Sequence, residues 1–286
     1  MAAFGSESNP AASSPLSAAV PLPAKHLTPL ALRAVRFKPV RLQGREGIAF
    51  LAGLLLLWQL VSSRGNFSGK YLFPSPILTA KTLWVSLPEL LVGTGYSFLI
   101  LLPSLVLAIS LGIGWGLLVG TTPALNRMFS PFARFTSPVP PTIYIPYAIA
   151  LLPTFRMAAG FVVFVGVFWP VFLNTANGAS ALPQHHRDNA RILGLQRTEY
   201  LWRVVFPASL PHIFSGISVG VVFAFIMLTV AELFGASNGL GRFVQLYADY
   251  ADYPRMVAGI LYTGLVVWLS MEVLERVKRR ALFWLK

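Results

Sequence analysis

Asp188-Asn189-Ala190, three residues, Gly194, nine residues, then Val204-Val205-Phe206-Pro207: this polar stretch is set between two long apolar segments. Pro183 fits just ahead of a helix start, and Gln184 to Leu193 is a run that a short helix tolerates. Gly194 can take positive φ and end that helix, and Thr198 is a plausible cap for a second one carrying Leu201, Val204 and Val205 on one side. The expected conformation is therefore helix, tight turn, helix. Ala190 is small enough for another surface to approach closely, and Leu195 is an apolar knob with no obvious core of its own. Such a segment has the character of a docking loop, not of a catalytic site.

Composition places the rest of the chain around that loop. Of the 286 residues, 55% are hydrophobic and 12% charged, and the mean hydropathy is +0.65, too apolar for a soluble domain of this size. Apolar segments run over about 48–62, 94–119, 137–153, 157–178, 211–234 and 256–275, most of them near the ~20 residues that cross a bilayer. The expectation is an all-α polytopic membrane protein with six transmembrane helices. No cysteine is present, which removes disulfides, thiolate catalysis and cysteine-ligated metal sites.

The formal net charge of +13 is explained by topology. The N-terminal segment, the loops after the second and fourth apolar segments, and the C-terminus hold 17 of the 23 Lys and Arg residues. The positive-inside rule then puts both termini and the Asp188 loop in the cytoplasm, and nucleic-acid binding is set aside. Residues 1–46 read as a disordered, basic cytoplasmic segment and 47–286 as the membrane domain, with 179–207 as its principal cytoplasmic loop. The Ala-, Ser- and Pro-rich residues 1–24 lack the basic start and apolar core of a cleaved signal peptide. On the outer side, 63–93 is expected to be a long loop with a short helix over Ile77–Leu87 lying at the membrane face.

Two segments carry packing and path signals. Gly112, Gly116 and Gly120 line one helix face at four-residue spacing, a ridge against which another helix can approach. Pro138, Pro140, Pro141 and Pro146 must interrupt backbone hydrogen bonding in the third segment, and irregular backbone at membrane depth survives only against protein or a water-filled cavity. Thr142 and Tyr144 in that segment are therefore candidates for the translocation path. Asn174 and Asn177, three apart on one helical face, either line the path or form ordinary interhelical hydrogen bonds. Glu232 stands near the end of the fifth segment. It is open to two readings: part of a gate or of a polar bridge between subunits, or a side chain reaching the outer headgroup region.

The spacing from Asp188 to Pro207 resembles the EAA loop of binding-protein-dependent ABC importer permeases, with Asp188 and Asn189 standing where the family usually has Glu and Ala. Ser137-Pro138-Val139-Pro140-Pro141, Trp169 to Thr175, Ala231-Glu232-Leu233 and Gly239-Leu240-Gly241 resemble the nitrate, sulfonate and taurine branch, over roughly residues 74 to 280. The run Leu151 to Arg156 departs from that branch, which commonly has Trp-Phe-Gly after the position of Ala150. The resemblance implies a type I importer permease fold in which the loop forms a coupling helix, with Asp188, Asn189, Ala190, Gly194, Leu195 and Pro207 as its coupling residues. It also implies a second permease copy, most simply a homodimer, two cytoplasmic ATPases that hold ATP and Mg, and an extracytoplasmic substrate-binding protein. The chain itself would bind no cofactor, would lie among the lipids of a bacterial inner membrane, and would pass a small anion such as nitrate, bicarbonate, a sulfonate or taurine.

Other chemistry finds little support. His185 and His186 are adjacent and diverge by about 100° on a helix, a poor chelate. Gly65 to Lys70 has three residues between its glycines where a phosphate loop needs four. Asp249 and Asp252 with Arg242 and Arg255 form a charged surface patch better suited to solvation or docking than to acid-base work. No cluster of His, Asp or Ser at one depth suggests an intramembrane enzyme. A secondary transporter or channel not powered by ATP is the principal rival; apart from Glu232, no acidic group stands clearly at mid-membrane to couple an ion.

Overall fold

The computed structural model describes residues 44–64 and 74–285. The expected tail over 1–43 and the Gly65–Lys70 run lie outside the described residues. The chain divides into two units, 1–49 and Phe50–Lys286, of which the first is described only where α1 begins. Among the described residues all regular structure is helical: α1 Gly44–Arg64, α2 Pro76–Thr121, α3 Pro123–Thr136, a 3₁₀ turn Pro141–Tyr144, α4 Ile145–Leu151, α5 Phe155–Ser180, α6 Gln184–Ile192, α7 Arg197–Tyr200, a π turn Leu201–Val205, α8 Phe206–Gly235, α9 Leu240–Asp249 and α10 Tyr253–Ala281.

Four helical runs are long and apolar enough to cross a membrane: α2, α5, Arg197–Gly235 and α10. Two shorter apolar helices cover Ala49–Ser63 and Pro141–Leu151. The apolar segment 137–153, expected as one of the six transmembrane helices, is not one continuous helix in the structure. The described helical part is 11 residues, or about 16 Å of rise, well short of the ~30 Å hydrocarbon thickness. The preceding residues, read as a loop, instead form α3. The prolines are the cause: Pro140 and Pro141 follow the end of α3, and the chain restarts through a 3₁₀ turn in which Ile143 N–H bonds Pro140 C=O at 3.1 Å.

A second correction concerns the expected outer loop over 63–93. Its helix is not a separate element at the membrane face but the first part of α2, whose 46 residues rise about 69 Å. Ser75 caps the start by accepting from Leu78 N–H at 3.3 Å, and Pro76 occupies the first turn, where its missing N–H costs nothing. Pro88 sits inside the helix without ending it. Cover from the rest of the unit holds this part: Leu90 is fully buried, Glu89 accepts from Tyr247 of α9 at 2.9 Å, and Thr94 donates to Tyr262 of α10 at 3.2 Å.

The core is a three-helix layer with α5 in the middle, packed on α2 on one side and α8 on the other. Val162, Val163, Val167 and Val171 of α5 are fully buried in it. Both contacts depend on missing side chains. On α2, a Cβ at Gly112 would stand 2.9 Å from Val171, at Gly116 2.5 Å from Thr175, and at Gly120 2.5 Å from the Ala176 carbonyl. On α8, a Cβ at Gly216 would stand 2.8 Å from the Pro170 carbonyl and at Gly220 3.1 Å from Val167. The neighbour of the glycine ridge is thus a helix of the same chain.

Gly116→Leu is expected to destabilise the α2–α5 contact by roughly 1–3 kcal/mol or more, because the facing atoms include backbone that cannot move aside. Gly114→Leu, two residues away with nothing within 4 Å of its added Cβ, should be close to neutral. Thermal unfolding of the detergent-solubilised variants separates the two, and equal losses would overturn the packing role.

Candidate functional site

The 179–207 segment builds a tight corner from local chemistry. Helix α6 begins directly after Pro183 and ends at Ile192; Gly194 follows at φ +66°. Leu195 N–H returns to the Ala190 carbonyl at 3.0 Å, so the last carbonyls of α6 are satisfied by the glycine-closed turn. Helix α7 starts at Arg197, with Gln196 and not Thr198 as its cap residue. Glu199 accepts from Gln196 N–H at 3.2 Å, an arrangement that Thr198, with no acidic residue three positions on, could not have made.

Between α7 and α8 the helix widens into a π turn in which Phe206 N–H reaches the Leu201 carbonyl. Pro207 supplies the physical reason. It has no N–H to give to residue 203, and its ring crowds that carbonyl, so a wider turn relieves both problems without breaking the rod. The run Arg197–Gly235 is consequently continuous over 39 residues.

The faces of α6 differ from the reading of Ala190 and Leu195 as outward features. Ala190 is 5% exposed and Leu195 half-buried; both line a cavity of about 560 Å³ against Thr121, Thr122 and Tyr200 of their own chain. Arg197 ties the corner to the α2–α3 junction by donating to Thr122 Oγ1 at 3.0 Å. The outward surface is made by Asp188 and Asn189, with Ile192 83% and Leu193 74% exposed. These two aliphatic side chains were not singled out from sequence, although an apolar pair at the exposed end of so polar a helix was a usable signal.

Glu232 does not reach the outer headgroup region. It is 1% exposed and closes a polar clasp inside the chain. Its Oε1 accepts from Ser97 Oγ of α2 at 2.6 Å, its Oε2 accepts from Gly241 N–H at 2.6 Å, and Ser97 Oγ in turn accepts from Leu240 N–H at 3.0 Å. The carboxylate thus neutralises the free N–H groups that begin α9. Gly239, at φ +141°, lets the chain turn directly over it; a Cβ there would stand 2.5 Å from the carboxylate. The Ala231-Glu232 and Gly239-Leu240-Gly241 runs are therefore two halves of one contact, and Ser97 is the partner that sequence reading missed.

The remaining path candidates are spread along the bundle. Asn174, half-buried, donates through Nδ2 to the Pro170 carbonyl of its own helix at 2.8 Å, and Asn177 is exposed. Thr142 and Tyr144 are half-buried in the 3₁₀ turn, whose Pro141 approaches Gly166 near the middle of α5. His185 and His186 stack on each other with ring centres 4.2 Å apart. Among the described residues no group of three or more His, Cys, Asp or Glu side chains is placed to hold a metal ion. Asp252 caps α10, accepting from Arg255 N–H at 3.2 Å.

Residues 74–282 match the family described as binding-protein-dependent transport system inner membrane component. The chain belongs to this family. Within it, the chain is an ABC permease of the nitrate, sulfonate and taurine branch. It is 27% identical over 230 residues to the nitrate import permease protein NrtB of Synechocystis sp., covering 76% of this chain and 81% of the relative. It is 27% identical over 252 residues to the taurine transport system permease protein TauC of Escherichia coli, covering 86% of this chain and 92% of the relative. The permease of the MetNI methionine ABC transporter, solved in inward-facing conformations, shares the fold: TM-score 0.58 at 18% identity, covering 68% of this chain and 97% of that one. These relatives are transport permeases, and this permease has the apolar helices of a membrane protein.

The clasp makes a stability test specific to this permease. Glu232→Ala leaves the Gly241 N–H and the Ser97 hydroxyl without their acceptor and is expected to cost roughly 1–3 kcal/mol or more, since the site is buried. Limited proteolysis across 236–250 should quicken in the variant, while Asp249→Ala, which removes only an exposed bond to Gln245, should behave as the parent. Unchanged proteolysis in Glu232→Ala would show that the clasp does not hold α9.

Proposed function

We propose that this chain is the translocation subunit of an ATP-driven importer for a small anion of the nitrate, bicarbonate or sulfonate kind. In this reading two permease copies form the path, two cytoplasmic ATPases sit beneath them with ATP and Mg, and an extracytoplasmic binding protein delivers the solute. The membrane is crossed six times, the third time by the short Pro141–Leu151 helix together with the irregular chain on either side of it, and both termini lie in the cytoplasm, in keeping with the charge bias along the sequence. What the relatives carry, nitrate and taurine, supports the solute class.

The observation that carries the proposal is the glycine-closed corner between α6 and α7, set at the end of an unbroken 39-residue helical run. A partner that moves α6 displaces a stiff rod, and the rod reaches the far end of the bundle. Asp188, Asn189 and Leu193 would face the ATPase, Ala190 and Leu195 would seat α6 on its own chain, and Gly194 and Pro207 would fix the two bends. The rival reading, a carrier driven by an ion gradient, needs an intramembrane carboxylate free to take up the ion. Both oxygens of Glu232 are already engaged with Ser97 and Gly241.

Reconstitution with the ATPase and binding-protein partners tests the proposal directly: uptake of nitrate, bicarbonate or taurine into vesicles is expected only with ATP present. Uptake that proceeds equally without ATP would favour the rival. Gly194→Val should insert normally but lose its ATPase on purification or hydrolyse ATP without moving solute, because a β-branched residue resists φ +66° even where space is open. Asp188→Ala should be mild, an exposed ion pair being worth about 0–1 kcal/mol. Full uptake by the Gly194 variant would remove the coupling assignment.

Topology has its own test in this cysteine-free chain. A Gln196→Cys variant places a single exposed thiol on the corner. It should resist membrane-impermeant maleimide added to intact cells and react after permeabilisation. Efficient labelling from outside would invert the orientation.

A further inference from the structure

At the end of the bundle opposite the α6–α7 corner, a cavity of about 360 Å³ opens between α2, the start of α5 and the α8–α9 connection. Its polar lining comes from Tyr96, Thr154, Arg156, Ser237 and Asn238, over an apolar floor that includes Phe155. We propose that this cavity receives a small oxyanion, with Arg156 as its charged contact, before the anion enters the translocation path. The inference rests on the importer reading above and adds to it a specific site.

Three features favour an anion there. Arg156 is exposed, and among the described residues no carboxylate lies within 4.0 Å of it. Its planar fork of donors suits a trigonal or tetrahedral oxyanion. The cavity also adjoins the N-terminus of α5, a 26-residue helix whose dipole favours negative charge. Thr154 caps that helix by accepting from Met157 N–H at 3.3 Å, which leaves its hydroxyl hydrogen to donate elsewhere. The side-chain groups of Tyr96, Ser237 and Asn238 make no hydrogen bond to protein among the described residues, so several possible donors line the same cavity as Arg156.

The walls are held in register by the buried clasp. Ser97, next to Tyr96, bonds both Glu232 and Leu240 N–H, and the connection carrying Ser237 and Asn238 runs between those two anchors. Glu232 is not among the residues lining the cavity, and its oxygens are engaged by the Ser97 hydroxyl and the Gly241 N–H. The volume lies in the about 300–1,000 Å³ range of small-molecule sites.

The complete complex, with its ATPase and binding protein in vesicles, is the system in which to test the site. ATP-dependent uptake of nitrate, bicarbonate and taurine by the parent reports on the importer reading. Arg156→Gln and Arg156→Lys report on the cavity. The expected result is a rise of about tenfold in apparent KM for the transported anion in Arg156→Gln, the loss of one charge-assisted contact, with substantial recovery in Arg156→Lys. The parent KM should climb with added chloride more steeply than that of the glutamine variant. If the parent transports an anion and Arg156→Gln keeps its KM and salt dependence, Arg156 is an ordinary surface residue and the site is wrong. A KM defect of equal size in the lysine variant would also overturn it, by pointing to lost packing instead of lost charge. Failure of the parent to move any of the three would overturn the importer reading for these solutes and the site with it.

Discussion

Close approach of α5 to both α2 and α8 is the constraint on which the rest of the structure depends. In a membrane, helices gain little from hiding apolar surface, because the lipid is equally apolar; they associate by fitting closely. Here the fit is made by glycines on the outer two helices meeting backbone and small side chains of the middle one, at Gly112, Gly116 and Gly120 on one side and Gly216 and Gly220 on the other. Since carbonyls of Phe172, Ala176 and Pro170 are among the atoms met, the layer cannot slide without losing contact along its length. That makes α2, α5 and α8 one stiff body and leaves motion to what is attached at its ends.

The two ends are fastened by different means. At one, Glu232 joins α8 to Ser97 of α2 and to the backbone that starts α9, with no exposed member and both carboxylate oxygens satisfied. Removing any partner there strands a buried polar group, so the contact is expensive to open. At the other, the α6–α7 corner is tied to the α2–α3 junction by an exposed bond from Arg197 to Thr122, while the exposed pair of Arg203 with Glu199 at 3.8 Å lies within the helical run itself. Such surface contacts are individually worth about 0–1 kcal/mol.

How much of this could be read from sequence follows from how local each determinant is. The helix–turn–helix at Gly194 was legible because one residue in positive φ and its flanking periodicity settle it. The glycine ridge was legible because four-residue spacing on an apolar helix has few other uses. The start of the second helix differs from the expected cap at Thr198 because Gln196 caps through its backbone N–H to Glu199, a weaker sequence signal than a hydroxyl. The expected loop over 63–93, with its separate helix over Ile77–Leu87, differs from α2 because the cover that Leu90 and Thr94 find is tertiary and has no local signal. Glu232 was beyond local reasoning altogether: its partners are 135 residues earlier and nine residues later, and nothing in the run Ala231-Glu232-Leu233 points to Ser97.

This asymmetry bears on how a force would travel. A rod transmits displacement only if one end is free to be moved and the other is joined to something that must respond. The Arg197–Gly235 run meets both conditions, with weak exposed contacts at the α6–α7 corner and a buried carboxylate clasp at its far end. Its one irregularity, the π turn before Pro207, lies close to the weak end, where a widened turn can take up a change of angle while the stretch beyond it, packed on α5, keeps its shape. In the coupling proposed above, bending would be taken up at the corner and the packed layer would move as one body, carrying α9 and the wall of the Arg156 cavity attached at Glu232.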